Sequence, residues 1–213
     1  MNALGLIEVY SFTTAVYAAD VAAKAANVKV IAFDRTRPKS EAVPAPLVIC
    51  IKIEGDNASV KAAVEAARAY AESEGKHIVS HVISRPGQDM EKMGYLLDIN
   101  KDKYNKKLPK SFYGKEEELP EVDFAIGLLE VSGLVASITG LDAMVKAADV
   151  SLIHTEKRLG GRLVTLIIKG RVSAVMAAIE AGKAEAGPLG KIYGNAVIAN
   201  PHGEIMKFFD FEN

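Results

Sequence analysis

The second half of the chain carries the clearer pattern of apolar and polar positions. Ala125 to Val131 is an apolar run closed by Ser132-Gly133, long enough for a buried strand. Leu134, Ile138, Leu141 and Val145 then recur at helical spacing, with Val135 and Met144 beside them, which predicts an amphipathic helix that exits at Asp149. Val150 to Thr155 and Leu163 to Ile168 are β-rich runs on either side of Leu159-Gly160-Gly161-Arg162, so two strands joined by a glycine-containing turn are expected. Val172, Val175, Met176 and Ile179 give the apolar stripe of a second helix. Lys191 to Ala199 reads as a fourth strand stopped by Pro201, and a short element from Glu204 to Phe211 follows.

The first half repeats this pattern residue by residue. Ala3-Leu4-Gly5-Leu6-Ile7-Glu8-Val9 returns as Ala125-Ile126-Gly127-Leu128-Leu129-Glu130-Val131. At the same offset Asp20 returns as Asp142, Lys24-Ala25-Ala26 as Lys146-Ala147-Ala148, and Val28 and Ile31 as Val150 and Ile153. After an offset change of about seven residues, Gly55 matches Gly170, Val60 matches Val175, Gly75-Lys76 matches Gly190-Lys191, Val82-Ile83 matches Val197-Ile198 and Pro86 matches Pro201. The matches at Gly, Asp, Lys and Pro do not depend on the abundance of Ala, so they mark a duplication. Copy one holds the extra residues between Arg35 and Ile51, and its second helix carries Val60, Ala63, Val64 and Ala67 on one face.

Each copy therefore has the order β-α-β-β-α-β, which predicts an α+β fold of two tandem ferredoxin-like domains, each with its helices on one face of an antiparallel sheet. The expected division is residues 1–93 for the first domain, 94–121 for a polar, Lys-rich linker with Pro109, Gly114 and Pro120, and 122–213 for the second domain.

Composition narrows the function more by exclusion than by assignment. Of 213 residues, 49% are apolar and 7% aromatic, with no Trp and much Ala, which suits thin helices laid closely on sheets. A net charge of −1 gives no global footprint for nucleic acid or an anionic membrane. The N-terminus has no basic leader, and Glu8, Asp20 and Lys24 break the apolar runs well short of the roughly 18 residues a membrane span needs. The expected setting is soluble and intracellular, and the single Cys50 fits a reducing compartment.

Candidate chemistry is sparse. His77 and His81 lie four apart on a predicted strand, roughly 13 Å along it, too far to share a metal. Cys50 stands inside the apolar run Leu47 to Ile51 and reads as a small buried hydrophobe. Gly160-Gly161 joins two strands and opens no helix, so it is not a phosphate loop. Glu8 and Glu130 occupy equivalent strand positions, where a duplicated structural contact explains them better than catalysis. No paired acid–base or nucleophile constellation is present, so no enzymatic activity is expected and no cofactor or metal is implied. The richest region is the turn between strands two and three: counting both copies, Asp34 to Glu41 and Glu156 to Arg162 hold six basic and three acidic residues. On physics alone an ordinary solvated hairpin accounts for them.

These motifs resemble those of bacterial microcompartment shell proteins of the tandem-domain, unpermuted class. In copy two the resemblance runs through Ala125-Ile126-Gly127 with Glu130, Leu141 to Ala148, Lys157 with Gly160-Gly161, Lys169-Gly170, and Ile198 with Pro201-His202-Gly203. Copy one matches more loosely through Ala3-Leu4-Gly5, Asp20, Lys24-Ala25-Ala26, Gly55-Asp56 and Arg85-Pro86. The resemblance implies a structural protein: a homotrimer with pseudo-sixfold symmetry that tiles a shell in the bacterial cytoplasm, meets other shell proteins at its edges, and faces encapsulated enzymes. It implies a central pore at the turns, lined by Arg37, Pro38, Lys39, Ser40, Leu159, Gly160, Gly161 and Arg162, whose basic excess suits small anionic metabolites. It places Lys24, Arg85, Lys146 and His202 at shell edges, although copy one has Gly87 where the family's edge motif has His and copy two has Asn200 where it has Arg. No Cys stands in either turn, so no iron–sulfur cluster is expected. Neither nucleic acid nor membrane is an expected partner. The competing expectation is a tandem ferredoxin-like regulatory module that binds a small molecule between its copies.

Overall fold

The computed structural model describes residues 3–36, 46–87, 90, 119–156 and 162–209. Most of the linker, together with the expected pore residues Arg37, Pro38, Lys39, Ser40, Leu159, Gly160 and Gly161, lies outside the described residues.

Copy one runs β1 (Ala3–Tyr10), α1 (Phe12–Ala25), β2 (Lys29–Thr36), β3 (Val48–Gly55), α2 (Asn57–Ser73) and β4 (His77–Ile83). Copy two repeats it as β5 (Ala125–Ser132), α3 (Leu134–Ala147), β6 (Val150–Glu156), β7 (Leu163–Gly170), α4 (Val172–Ala186) and β8 (Ile192–Ile198), followed by a short helix α5 (Gly203–Met206). Sheet orders are β2-β3-β1-β4 and β6-β7-β5-β8, with every neighbouring pair antiparallel. The fold is thus the expected pair of ferredoxin-like domains. Even the irregularities are duplicated: the register shifts between Glu8 and Val9 and again between Glu130 and Val131, and between Val30 and Ala32 and again between Leu152 and His154.

The Ala-x-Gly opening of each copy has a steric reason. A Cβ on Gly5 would lie 2.6 Å from Val64, and one on Gly127 would lie 2.7 Å from Val175. Only glycine lets the second helix lie that close to the central strand. Asp56 begins α2 by accepting hydrogen bonds from the amides of Ala58 and Ser59 at 2.9 and 3.0 Å, and the Ser59 hydroxyl also donates to it. That hydroxyl, followed by the amide of Ser59, holds the Asp56 carboxyl below the usual carboxylate range.

The main core does not respect the boundary between copies. Ile7, Phe12, Val16, Phe33 and Ile51 of copy one pack in one cluster with Ile126, Ile167, Ile198, Met206 and Phe208 of copy two. Phe33 is the hinge of this cluster, edge-on to Phe12 at 5.9 Å and to Phe208 at 5.0 Å. The two domains are therefore one packed body at this junction.

The helix over Leu134–Ala147 forms where its spacing predicts, but its apolar stripe does not face the chain's own core. Leu134, Ile138 and Val145 are exposed, and the buried positions are Ala136, Ser137, Gly140 and Met144. Small residues let α3 approach α4 closely, and the large ones are left pointing outward. On α4, Val175 and Ile179 are buried as the stripe requires, whereas Val172 and Met176 are exposed.

Candidate functional site

The most developed polar geometry lies where copy one docks on copy two. Copy one presents the start of α1 and its outer face; copy two presents the outer side of β5 and β8 and the segment after β8. Glu130, fully buried, accepts a 2.6 Å hydrogen bond from the Ser11 hydroxyl and a 3.0 Å bond from the amide of Thr13. A carboxylate thus closes the N-terminus of a helix from the other copy, where the free amides and the helix dipole favour negative charge. Lys76 donates to the Tyr193 carbonyl at 3.0 Å, the amide of His202 donates to Asp20 at 2.7 Å, and the amide of Val30 donates to Glu204 at 2.7 Å. Lys207 neutralises Glu204 at 2.7 Å. Ser11 adopts a φ of 80°, a left-handed conformation that its equivalent Gly133 shares at 101°.

Duplication lets each half of this junction be located a second time. The face equivalent to that of α1 lies on α3, with Gly133 for Ser11, Val135 for Thr13, Ile138 for Val16 and Asp142 for Asp20; Lys191 stands for Lys76. The face equivalent to that of β5 and β8 lies on β1 and β4, with Glu8 for Glu130, Ile78 for Tyr193 and Gly87 for His202. Both second faces are open. Phe12 and Val16 are fully buried, while Leu134 is 64% and Ile138 59% exposed. Val135, Val145, Leu152, Ile78 and Val79 are exposed as well. Helix α3 has no side-chain cap at Gly133, and Glu8 stands half-buried on its strand without, among the described residues, a helix N-terminus against it like the one that meets Glu130. Contiguous exposed apolar surface of this kind marks an interaction site.

The expected edge residues fall on this frame. Lys24 pairs with Asp20 at 2.6 Å, and His202 donates its amide to the same Asp20, so these two converge at the closed junction. The His202 ring also caps α5, its Nδ1 accepting from the amide of Glu204 at 3.1 Å. Lys146 repeats the Lys24 geometry with Asp142 at 2.6 Å but is fully at the surface, and Arg85 is exposed after β4. Of the expected pore residues, Arg162 alone lies among the described residues. It immediately precedes β7 with a φ of 63°, accepts a 2.8 Å bond from the amide of Gly133 on its carbonyl, and sets a guanidinium nitrogen 3.4 Å from where a Cβ on Gly133 would stand. Arg162 therefore lies at the N-terminus of α3, a proximity that strand and helix spacing alone does not reveal.

A second duplicated feature is a polar row across each sheet. Glu8, Cys50 and Asp34 are in register in copy one, and Glu130, Thr165 and Glu156 in copy two. In copy one a buried Lys52 pairs with Asp34, where copy two has the apolar Ile167. Burial, reinforced by Glu8 and Asp34, pushes the Cys50 thiol up to about 12, so this cysteine is unsuited to nucleophilic chemistry or thiolate ligation. Among the described residues no cluster of three or more His, Cys, Asp or Glu side chains is arranged to hold a metal ion, and no helix is long and apolar enough to cross a membrane.

The BMC domain model matches twice, over residues 3–86 and 125–201. The chain is 32% identical over 210 residues to the carboxysome assembly protein CcmO of Synechococcus elongatus, covering 96% of this chain and 67% of that protein. It is 46% identical over 83 residues to the bacterial microcompartment shell protein PduA of Citrobacter freundii, which accounts for 39% of this chain and 88% of that one. A solved microcompartments protein from Desulfitobacterium hafniense aligns over 97% of this chain and 99% of its own, at 22% identity and a TM-score of 0.37. Two matched domains, in one chain and in the order the repeat requires, establish that the protein belongs to the BMC-domain family of bacterial microcompartment shell proteins and has a structural rather than a catalytic role.

Proposed function

We propose that this chain is a shell tile that assembles as a homotrimer, its six BMC domains forming a pseudohexameric ring around a central pore. The domains are residues 1–93 and 122–213, with 94–121 as the linker that passes between them. The observation that carries the reading is the pairing of a closed junction inside the chain with an open copy of each of its faces. A heterologous contact of this kind repeats from chain to chain and closes a ring when the rotation between chains is a whole fraction of a turn, here a third. Two domains in each of three chains supply six similar wedges, and duplication leaves alternate wedges free to differ.

The pore belongs at the β2–β3 and β6–β7 turns, where Arg37 and Lys39 would focus a positive field on small anionic metabolites in transit, with Arg162 at the base of its turn. Pro38, Ser40, Leu159, Gly160 and Gly161 would shape its wall. Lys24, Arg85, Lys146 and His202 are assigned to the rim, where tiles meet other shell proteins within the shell of a cytoplasmic microcompartment. The test combines sedimentation equilibrium with electron microscopy of the purified protein. A mass of three chains, with flat sheets or tubes of ring-shaped particles carrying a central opening, is the expected result; a monomer at all concentrations overturns the reading.

A further inference from the structure

The open junction cannot be a plain copy of the closed one, because the residues that hold the closed junction have changed. At the closed junction Glu130 receives the Ser11 hydroxyl and the Thr13 amide, and Leu47, the residue just before β3 that lies beside that helix N-terminus, is fully buried. On the open face Ser11 has become Gly133, which offers no hydroxyl, and the position of Leu47 is taken by Arg162. The hydrogen bond that links these positions is conserved in the duplication: Ser11 donates its amide to the Leu47 carbonyl at 3.4 Å, and Gly133 donates its amide to the Arg162 carbonyl at 2.8 Å. Arg162 therefore occupies the same place beside the helix N-terminus, but it is exposed and positively charged.

The complementary change is on the other open face. Glu8 stands at the position equivalent to Glu130 and keeps its register across the sheet, with Val79 where Glu130 has Gly194 and Cys50 where Glu130 has Thr165. It is half-buried, and the apolar Ile78 and Val79 beside it are exposed.

From these two changes we infer that the partner of the open α3 face is the β1–β4 face of a second copy of this chain, recognised by a charge pair between Glu8 of one chain and Arg162 of the next. The inference rests on the assembly proposed above and names its residue-level contact. Glu8 replaces Glu130 as the carboxylate at the helix N-terminus, where the amide of Val135 takes the place of the Thr13 amide. The Arg162 guanidinium replaces the missing Ser11 hydroxyl as the side-chain donor. Leu134, Val135, Ile138 and Val145 cover Ile78 and Val79 around the pair and exclude water from it, which raises its worth above that of an exposed ion pair. By the same equivalence Lys191 reaches the Ile78 carbonyl and Asp142 receives the amide of Gly87. The two junctions of the ring are thereby chemically distinct: one is held by a hydroxyl and buried within the chain, the other by an arginine and formed between chains. That difference sets the alternation of wedges and disfavours the joining of two like faces.

The experiment is a charge-reversal cycle on the full chain, read by sedimentation equilibrium. E8R and R162E each place like charges at every chain–chain junction, and each is expected to raise the concentration at the midpoint of assembly by about tenfold or more. The double variant E8R/R162E restores the pair with its polarity exchanged and is expected to recover most of that loss. E8Q, which keeps the volume of Glu8, serves as the milder probe, and far-UV circular dichroism confirms that each variant is folded. A wild-type chain that never assembles overturns the trimer reading and this one together. Wild-type assembly that is unchanged by E8Q and R162E, or single losses that simply add in the double variant, overturns the Glu8–Arg162 contact while leaving the trimer in place.

Discussion

Helices α1 and α3 are the same element met twice, and at equivalent positions such as Val16 and Ile138, or Ala23 and Val145, the larger apolar residue is the exposed one. Helix α1 buries Ala15, Ala18, Ala19 and Ala22 and is covered on nearly every side. Helix α3, with Leu134, Val135, Ile138 and Val145 exposed, has larger apolar residues where less of the chain covers them. A helix whose outer face remained in water would have been expected to turn polar there. The difference supports the proposed assembly, in which the α3 face takes its other half from a second chain, whereas α1 meets its partner within the chain.

The largest effect should come from placing a charge at the same position of the two helices. Val16→Glu buries an unpaired carboxylate in the core shared by both copies, which costs about 4 kcal/mol or more, enough to threaten the fold itself. Ile138→Glu puts the charge on the open face and should leave the thermal unfolding of the isolated chain almost unchanged while abolishing assembly. Differential scanning calorimetry at assembly-suppressing dilution, with sedimentation at higher concentration, separates the two effects. An Ile138→Glu chain that assembles like the wild type would remove the interface from α3.

Two lysine–acid pairs at non-equivalent positions, one from each copy, differ sharply in their surroundings. Lys52 and Asp34 form a pair with both side chains less than a tenth exposed, whereas Lys146 and Asp142 form an i, i+4 pair open to solvent. Removing one member of a buried pair strands the other, so Lys52→Met should cost about 3 kcal/mol. Lys146→Met should cost roughly 0.5 kcal/mol or less. Urea unfolding of the two variants measures the contrast; equal midpoints would mean that Asp34 is solvated well enough not to need Lys52.

Much of this architecture was legible before any coordinates, because the signals that carry it are local or repeated. Strand runs, helical spacing and the Ala-x-Gly opening each declare themselves within a few residues, and duplication doubled every one of them. The direction in which a stripe points is not local. Leu134, Ile138, Leu141 and Val145 announce a helix, but which side meets the chain's own core is decided by Gly140 and Met144 against α4. The site was partly legible in the same way. Glu8 and Glu130 stood out as a duplicated carboxylate, yet the partners of Glu130 lie more than a hundred residues away in sequence. The family resemblance implies a place for Arg162 in the pore turn with Gly160-Gly161. Its nearness to Gly133 arises from strand β7 starting beside the start of α3, a relation no spacing along the chain encodes. Lys24 and His202, both assigned to an edge, meet at Asp20 only because the segment after β8 folds across α1.

The smallest expected effect again contrasts equivalent positions, Cys50 and Thr165. With its thiol pushed up to about 12 by burial and by the neighbouring Glu8 and Asp34, Cys50 is protonated in the folded chain at every ordinary pH. An unfolded cysteine loses its proton near pH 8.5. The folded state therefore holds its proton where the unfolded state releases it. The associated stability is complete below about pH 8.5 and is lost progressively as pH rises from there toward the folded value. Cys50→Thr, which installs the residue copy two already uses, removes this contribution, so its unfolding midpoint should fall less steeply between pH 8.5 and 10.5 than that of the wild type. Tyr70, whose phenol is likewise raised by burial and by Glu74, titrates equally in both chains and cancels from the difference. Iodoacetamide at pH 8 provides the direct reading: native Cys50 should react at least about a hundredfold more slowly than in urea, because thiolate is the reactive form. Comparable rates would mean that Cys50 opens to solvent, and the contrast between the two rows would then lie in local opening rather than in charge.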